Sequence, residues 1–281
     1  MRHWSLNALF ATMLVAVLAA PAMAGAVFVN GGFEAGDLYG WSTSSDGNPS
    51  PVNPLSWVAA VPGQTSRASD HNGGLSSVIV TPGADPNVGI NRNYGGAYGV
   101  RVGDSTPWGY YGSGGTQYNR IQQTAAVSAE SGGGPGHMYF AWAAVLETSY
   151  HSYFDTPFYE VSVLNNTTAT LIYDVFHYEA DAGAWTTVGG WKYSTNSNPL
   201  DPTGWNVVDL NLASLASVGD SLTLTAVARD CNLNGHAMYV YLDGFGAAPP
   251  VVGPIPEPVT MMGLFMGVSG VAGYIRKRKL A

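Results

Sequence analysis

Ser221-Leu222-Thr223-Leu224-Thr225-Ala226-Val227 alternates apolar and hydroxyl-bearing residues with a period of two, the period of a strand whose faces meet different surroundings. Leu222 and Leu224 are therefore expected on a core and the threonines on the opposite face. Outward from this stretch, similar runs recur with turn residues between them: Ala26 to Val29, Leu75 to Val80, Tyr98 to Val102, Arg120 to Val127 and His137 to Leu146. The second half continues with Phe158 to Leu164, Ala169 to Tyr178, Trp205 to Leu212, Ser221 to Arg229 and Ala237 to Phe245. These segments, without an amphipathic helical period, predict an all-β protein built as an antiparallel sandwich. Between Trp41 and Tyr94 the chain is interrupted by Pro49, Pro51, Pro54, Asn72-Gly73-Gly74, Pro82 and Pro86, so long loops are expected there, either binding something or tolerated as insertions. No internal repeat is present that would point to a solenoid or propeller.

Two motifs bracket these strands: Asn30-Gly31-Gly32-Phe33-Glu34-Ala35-Gly36-Asp37-Leu38-Tyr39-Gly40-Trp41 and Ala237-Met238-Tyr239-Val240-Tyr241-Leu242-Asp243-Gly244-Phe245. They resemble the opening and closing segments of carbohydrate-binding-module-like jelly rolls, the galactose-binding-like fold. The resemblance implies a jelly-roll β-sandwich in which the Asn-Gly-x-Phe-Glu segment forms the first strand and its turn, a Gly-Trp follows where the chain folds back, and the last strand carries an acidic residue near its end. It also implies a structural calcium site. First and last strands of such a roll lie together, so Glu34 and Asp243 are expected to meet across them. Two carboxylates repel unless a cation intervenes, and hard oxygen ligands favour calcium. Asp37 is a third candidate ligand. The alternative is that all three are solvated turn carboxylates.

Both ends of the chain read as sorting segments. Met1-Arg2-His3 is followed by an almost uncharged stretch from Leu6 to Ala20, then by Pro21 and Ala22-Met23-Ala24. An apolar helix broken by proline just before small residues is a signal-peptide pattern, with Ala22 and Ala24 offered to a signal peptidase and cleavage expected after Ala24. At the other end, a Pro-rich linker over residues 249 to 258 leads into Val259 to Ile275, which carry no charge and include Gly263, Gly267, Gly270 and Gly273. At about 1.5 Å per residue such a helix reaches about 26 Å, near the lower limit for crossing hydrocarbon. Arg276-Lys277-Arg278-Lys279 follows and is expected to hold that end in the cytoplasm.

The order Pro256-Glu257-Pro258, short glycine-containing apolar helix and basic cluster resembles the PEP-CTERM signal processed by exosortase-type membrane proteases. The resemblance implies a passenger anchored transiently in the inner membrane by its C-terminal transmembrane helix and then passed to the cell surface or extracellular matrix. An ordinary single-span tail anchor is the alternative. The organisation expected is a signal peptide over 1–24, a β-sandwich passenger over 25–248, the linker over 249–258, a transmembrane helix over 259–275 and a basic cytoplasmic tail over 276–281.

Charge excludes one class of partner. Of eleven Lys and Arg, Arg2 and the four of the tail fall outside the passenger, leaving six; of nineteen Asp and Glu, only Glu257 does, leaving eighteen. A passenger near −12 repels nucleic acid, so no nucleic-acid partner is expected. Its richness in Gly, Ser, Thr, Asn, Tyr and Trp is that of strands joined by tight turns. Cys231 is the one cysteine, so no internal disulfide forms, and a solitary thiol of this kind is expected buried and inert.

Three groups of side chains invite a functional reading. The first is aromatic: Trp108-Gly109-Tyr110-Tyr111-Gly112 is the densest cluster in a Gly- and Ser-rich loop, and Trp108, Tyr110 and Tyr111 would stack on sugar faces while neighbouring amides and acids bond the hydroxyls. Trp57, Tyr118, Tyr150, Tyr153, Trp185, Trp191 and Tyr193 are further aromatics, whereas Trp142 and Tyr239 sit within strands and are expected to pack. The second is Glu147, His151, Asp230 and His236, which would form a zinc or copper site if the fold gathers their loops at one end. No metal motif fixes their spacing, and loop-holding hydrogen bonds are the alternative. The third is catalytic, and it lacks a Gly-x-Ser-x-Gly elbow, a His-Glu-x-x-His helix and a phosphate-cradling glycine loop. A non-catalytic protein that binds exopolysaccharide or builds matrix is expected. An exported hydrolase or metal-dependent enzyme, its carboxylate pair hidden among the acids, is the alternative.

Overall fold

The structure, a computed structural model, describes residues 28–46, 77–103, 105, 118–129, 135–150, 156–195, 204–231, 236–247 and 249–250. Their strands are β1 (Ser42–Asp46), β2 (Ser77–Val80), β3 (Gly99–Gly103), β4 (Tyr118–Ala126), β5 (His137–Glu147) and β6 (Phe158–Asn165). Then follow β7 (Thr170–Tyr178), β8 (Trp185–Val188), β9 (Trp191–Ser194), β10 (Asn206–Asn211), β11 (Ser221–Arg229) and β12 (Met238–Gly246). All pairings are antiparallel. One sheet runs β1-β4-β11-β6-β7 and the other β2-β3-β12-β5-β9-β8, with β10 on the edge of β5 beside β9. Neighbours within a sheet are mostly distant in sequence, so the chain crosses repeatedly between the two layers of a β-sandwich.

The core lies between the sheets and is made by alternation. Leu222, Leu224, Ala226 and Ala228 of β11 face Phe140, Trp142, Ala144 and Leu146 of β5 and Val240 and Leu242 of β12, in one cluster. Trp142 and Tyr239 are buried, as expected for strand aromatics, and so is Cys231. A second cluster covers the far side of the larger sheet. There the loop over residues 82–94 and Trp205 pack on Ala141, Ala143, Val145, Tyr239 and Tyr241. That loop is pinned by Asp85, which is buried and accepts the hydroxyls of Tyr239 and Tyr241 at 2.8 and 2.7 Å and the backbone N–H groups of Asn87 and Val88.

The N-terminal motif departs from the expectation. Residues 30–40 form successive turns rather than a first strand, with Asn30 and Phe33 at φ 51° and 58°, and Phe28 and Val29 are likewise outside any strand. Two hydrogen bonds explain the shape: Asn30 Nδ2 and Tyr39 N–H both bond Asp37, which closes the turn on itself. Phe33 and Trp41 instead plug the open end of the sandwich, their rings 5.1 Å apart, with Phe245 5.3 Å from Trp41. The motif still meets the last strand, since Phe245 N–H donates to the Gly31 carbonyl and a Cβ at Gly31 would stand 1.9 Å from the Phe245 oxygen.

Among the described residues no helix is long and apolar enough to cross a membrane. The signal segment with Ala22 and Ala24, and the sorting segment with Pro256, Glu257, Pro258 and Arg276 to Lys279, lie outside the described residues.

Candidate functional site

The five-stranded sheet turns one face to the core and carries on the other a grid of polar and aromatic side chains, most of them buried. Register places Tyr118, Arg229, Phe158 and Tyr178 in one row. Arg120, Val227, Glu160 and Phe176 make the next, and Gln122, Thr225, Ser162 and Asp174 the third. The strand period puts all twelve on the face away from Leu222 and Leu224. Phe158, Phe176 and Tyr178 form an aromatic patch with centroids 4.8 to 5.7 Å apart, and Arg229 lies over the Phe158 ring at 5.3 Å. The grid deepens across the sheet: Asp174 is exposed and Gln122 and Phe176 half-buried, while Arg120, Glu160, Ser162 and Arg229 are buried.

Glu160 is the anomaly of this face. It is 1% exposed, yet neither carboxyl oxygen has a hydrogen-bond partner among the described residues, and the Ser162 hydroxyl beside it has none either. Burial pushes its pKa up to about 8, and the Asp174 carboxylate adds to the shift; Ser162, near but outside hydrogen-bond geometry, offsets little of it. At neutral pH Glu160 is therefore mostly a neutral acid with one O–H to donate and spare lone pairs. Buried polar atoms nearly always find partners, so this pair of residues departs from the ordinary pattern.

Glu34 and Asp243 converge on one turn. Ala97 N–H donates to both Glu34 oxygens at 2.9 and 3.2 Å, and the N–H groups of Tyr94 and Gly95 both reach Asp243 Oδ2 at 2.9 Å. Between them Gly96, at φ 65°, lies so close that a Cβ there would stand 2.0 Å from Glu34 Oε1. Burial raises the Asp243 carboxyl to about 7; the N–H groups of Gly95, Tyr94 and Gly244 oppose the rise and the Glu34 charge adds to it. Each carboxylate offers about four lone-pair sites, more than these N–H donors occupy. Asp37 is engaged in its own turn instead.

Of the other expected groups, Glu147, Asp230 and His236 come to one end of the sandwich, each tied to the chain there. Glu147 Oε2 accepts Ala237 N–H at 3.4 Å, Asp230 Oδ1 accepts Met238 N–H at 3.0 Å, and His236 Nδ1 lies 3.0 Å from Cys231 Sγ. His151, Trp108, Tyr110 and Tyr111 lie outside the described residues. Among those described, no group of three or more His, Cys, Asp or Glu could hold a metal ion. Tyr118 is buried in the grid and Tyr150 is exposed, whereas Trp185, Trp191 and Tyr193 are half-buried in the β8–β9 hairpin. Glu160, Ser162, Asp174, Arg120 and Arg229 escape a sequence reading because they are the polar half of ordinary alternation. Only the register brings them side by side.

No family model matches this chain, and no curated protein does. Among solved structures, the enzymatically active domain of tailspike protein 4 of bacteriophage CBA120 aligns with 79% of this chain and 21% of its own, at 8% identity and a TM-score of 0.34. A structure concerned with promiscuous specificity of carbohydrate-binding modules from the β-sandwich superfamily aligns over 79% of this chain and 62% of its own, at 10% identity and a TM-score of 0.32. This chain thus spans less than two thirds of both. A carbohydrate-binding module specific for non-crystalline cellulose aligns over 79% of this chain and 94% of its own, at 10% identity and a TM-score of 0.34. At such scores no residue role transfers between the chains. Carbohydrate-binding modules with a β-sandwich fold stand among the structures to which this chain is similar.

Proposed function

We propose that this chain is an exported, non-catalytic protein that binds polysaccharide across the outer face of its five-stranded sheet, in a jelly-roll-type sandwich. The observation that carries the reading is the row of the grid in which the exposed Asp174 and the half-buried Gln122 flank Ser162 and Thr225, with the half-buried Phe176 ring beside Asp174. Sugars supply what such a face lacks, hydroxyls for the polar atoms and C–H surfaces for the ring. An acidic passenger disfavours anionic polymers, so the ligand is a neutral glycan. The terminal segments supply the address: signal peptidase at Ala24, an exosortase-type protease at the Pro-Glu-Pro segment, and release to the surface or matrix.

The test is affinity electrophoresis of the purified protein in gels containing xylan, mannan, β-glucan or galactan, with alginate as the anionic comparison. Retardation by at least one neutral polymer is expected, weakened about tenfold or more by Asp174→Ala and by Gln122→Ala. Lack of retardation by any neutral polymer sinks the reading. Release of new reducing ends in the same mixtures, abolished in Glu160→Gln, would instead place the protein among hydrolases, the one alternative that a neutral acid beside a carboxylate favours.

A structural calcium ion held by Glu34 and Asp243, completed by backbone carbonyls or water, belongs to the same proposal. Metal removal with EDTA is expected to lower the melting temperature by several degrees and added calcium to restore it. An unchanged melting temperature would leave the backbone N–H groups as the whole clasp.

A further inference from the structure

An open sandwich has edges, and those of this chain differ in how well they are guarded. β1, β2, β8 and β10 are short, with five, four, four and six residues. β7 has nine, Thr170–Tyr178, and carries none of the lysine, proline or glycine that blunt an edge. It is hydrogen-bonded to β6 on one side only. A register shift opposite Val163 and Leu164 bulges its first residues, which leaves Tyr173 to Tyr178 as a regular free edge.

The ladder with β6 shows which backbone groups this edge offers. Glu179 N–H bonds the Pro157 carbonyl, so residues 173, 175 and 177, an even number of positions away, turn their N–H and C=O toward β6. Asp174, Phe176 and Tyr178 turn theirs out of the sheet. Tyr178 is already capped: its N–H donates to Asp181 Oδ2 at 3.0 Å, and its carbonyl accepts from Trp185 Nε1 at 2.9 Å. Among the described residues no such cap covers the backbone of Asp174 or Phe176. Two N–H and two C=O groups therefore stand on alternate residues of a free edge, where a ladder partner is the usual way to satisfy them.

We propose that β7 pairs antiparallel with β7 of a second copy, about a twofold axis normal to the sheet at Val175. Register decides this. Centred on Asp174, two carboxylates would meet directly; centred on Phe176, Asp174 would fall opposite the capped Tyr178. Centred on Val175, Asp174 lies opposite the partner's Phe176, and its N–H and C=O meet the groups that Phe176 leaves unused. The twofold repeats the exchange and completes four backbone hydrogen bonds. Tyr173 then faces the partner's His177 on the core side, and the Asp174 carboxylates lie on a diagonal. The two five-stranded sheets become one continuous sheet whose polar faces share a side.

The experiment needs no glycan, so its failure and that of polysaccharide binding are distinguishable. Sedimentation velocity of the purified protein over a rising concentration series is expected to show a monomer–dimer equilibrium. Val175→Cys is expected to form a disulfide between copies under mild oxidation, because opposed residues of a non-hydrogen-bonded pair stand about 4.5 Å apart at Cα. Leu171→Cys, exposed on the same strand but not opposite itself in this register, is expected to cross-link far less. Phe176→Asp sets a carboxylate opposite Asp174 and is expected to weaken dimerisation about tenfold or more, whereas Phe176→Lys sets an opposite charge there and is expected to keep it. Both variants lose the same ring. A dimer lost equally from both, cross-linking of Leu171→Cys as efficient as that of Val175→Cys, or a monomer at every concentration overturns the pairing.

Discussion

Asp85→Ala is expected to cost about 3–5 kcal/mol of folding stability, the range for breaking a buried charged hydrogen-bond network. The carboxylate is 2% exposed and accepts four hydrogen bonds, two from phenols on the central strand β12 and two from the backbone of its own turn. Burial and the Asp85 charge both hold the Tyr239 and Tyr241 hydroxyls far above the ordinary tyrosine range, so they remain donors at any pH where the protein is folded. Removing the acceptor strands both donors against the sheet, and the loop over residues 82–94 loses its anchor. Denaturant titration should register the loss, with amide exchange in that loop accelerating ahead of the rest. Asp85→Asn keeps the shape but not the charge and should fall between. A cost under about 1 kcal/mol for the alanine variant would mean that Trp205 and Ile90 hold the loop by packing alone.

Glu160→Gln is expected to raise stability, and by an amount that depends on pH. The ordinary carboxyl value is 4.5 and the folded value about 8, so between these limits the folded chain keeps a proton that the unfolded chain releases. Stability therefore falls as pH climbs from about 4.5 to about 8 and is lost no further above that. Glutamine removes this penalty. The two proteins should unfold alike near pH 4.5 and diverge by on the order of 3–5 kcal/mol near pH 8. Asp243, raised to about 7, contributes in the same direction in both proteins. Asp220 opposes it at the acid end: the Ser217 N–H and the Asn165 amide hold its carboxyl low, so its contribution is present above the ordinary value and lost as pH falls through the folded one. Parallel stability curves for wild type and Glu160→Gln across this range would show that the carboxyl has a partner that neutralises its burial. A stabilising substitution at a buried position also marks Glu160 as kept for use rather than for folding.

The strands that the sequence announces are those whose alternation reaches the core. The bounds of β11 coincide with the run expected from Ser221 to Arg229, and β5, β6 and β12 shift by a residue or so at one or both ends, because one face of each is apolar throughout. β1 is missed since Ser42 to Asp46 carry no apolar side chain; its pairing with β4 is what makes it a strand. β8 and β9 are missed although Gly189-Gly190 is a hairpin signal, because the flanking runs are only four residues each. The opening motif is read in the right place and given the wrong shape, its asparagine and aspartate favouring turns over a strand. The polar face of the five-stranded sheet depends on pairings between segments far apart in sequence: Arg120 meets Val227, and Val227 meets Glu160, only once the sheet forms.

The position of β12 bears on how the passenger would carry load. This strand is hydrogen-bonded on both sides, to β3 and β5, and the chain leaves it at Phe245 and Gly246 to reach Pro250, packed on Gly244. A pull transmitted from a surface tether beyond Pro250 would act along the axis of a central strand, so two ladders would have to shear together instead of unzipping bond by bond. The joint at Phe245 and Gly31, with the aromatic plug behind it, takes that force first. The same placement that buries the last strand would let two ladders resist a pull along β12.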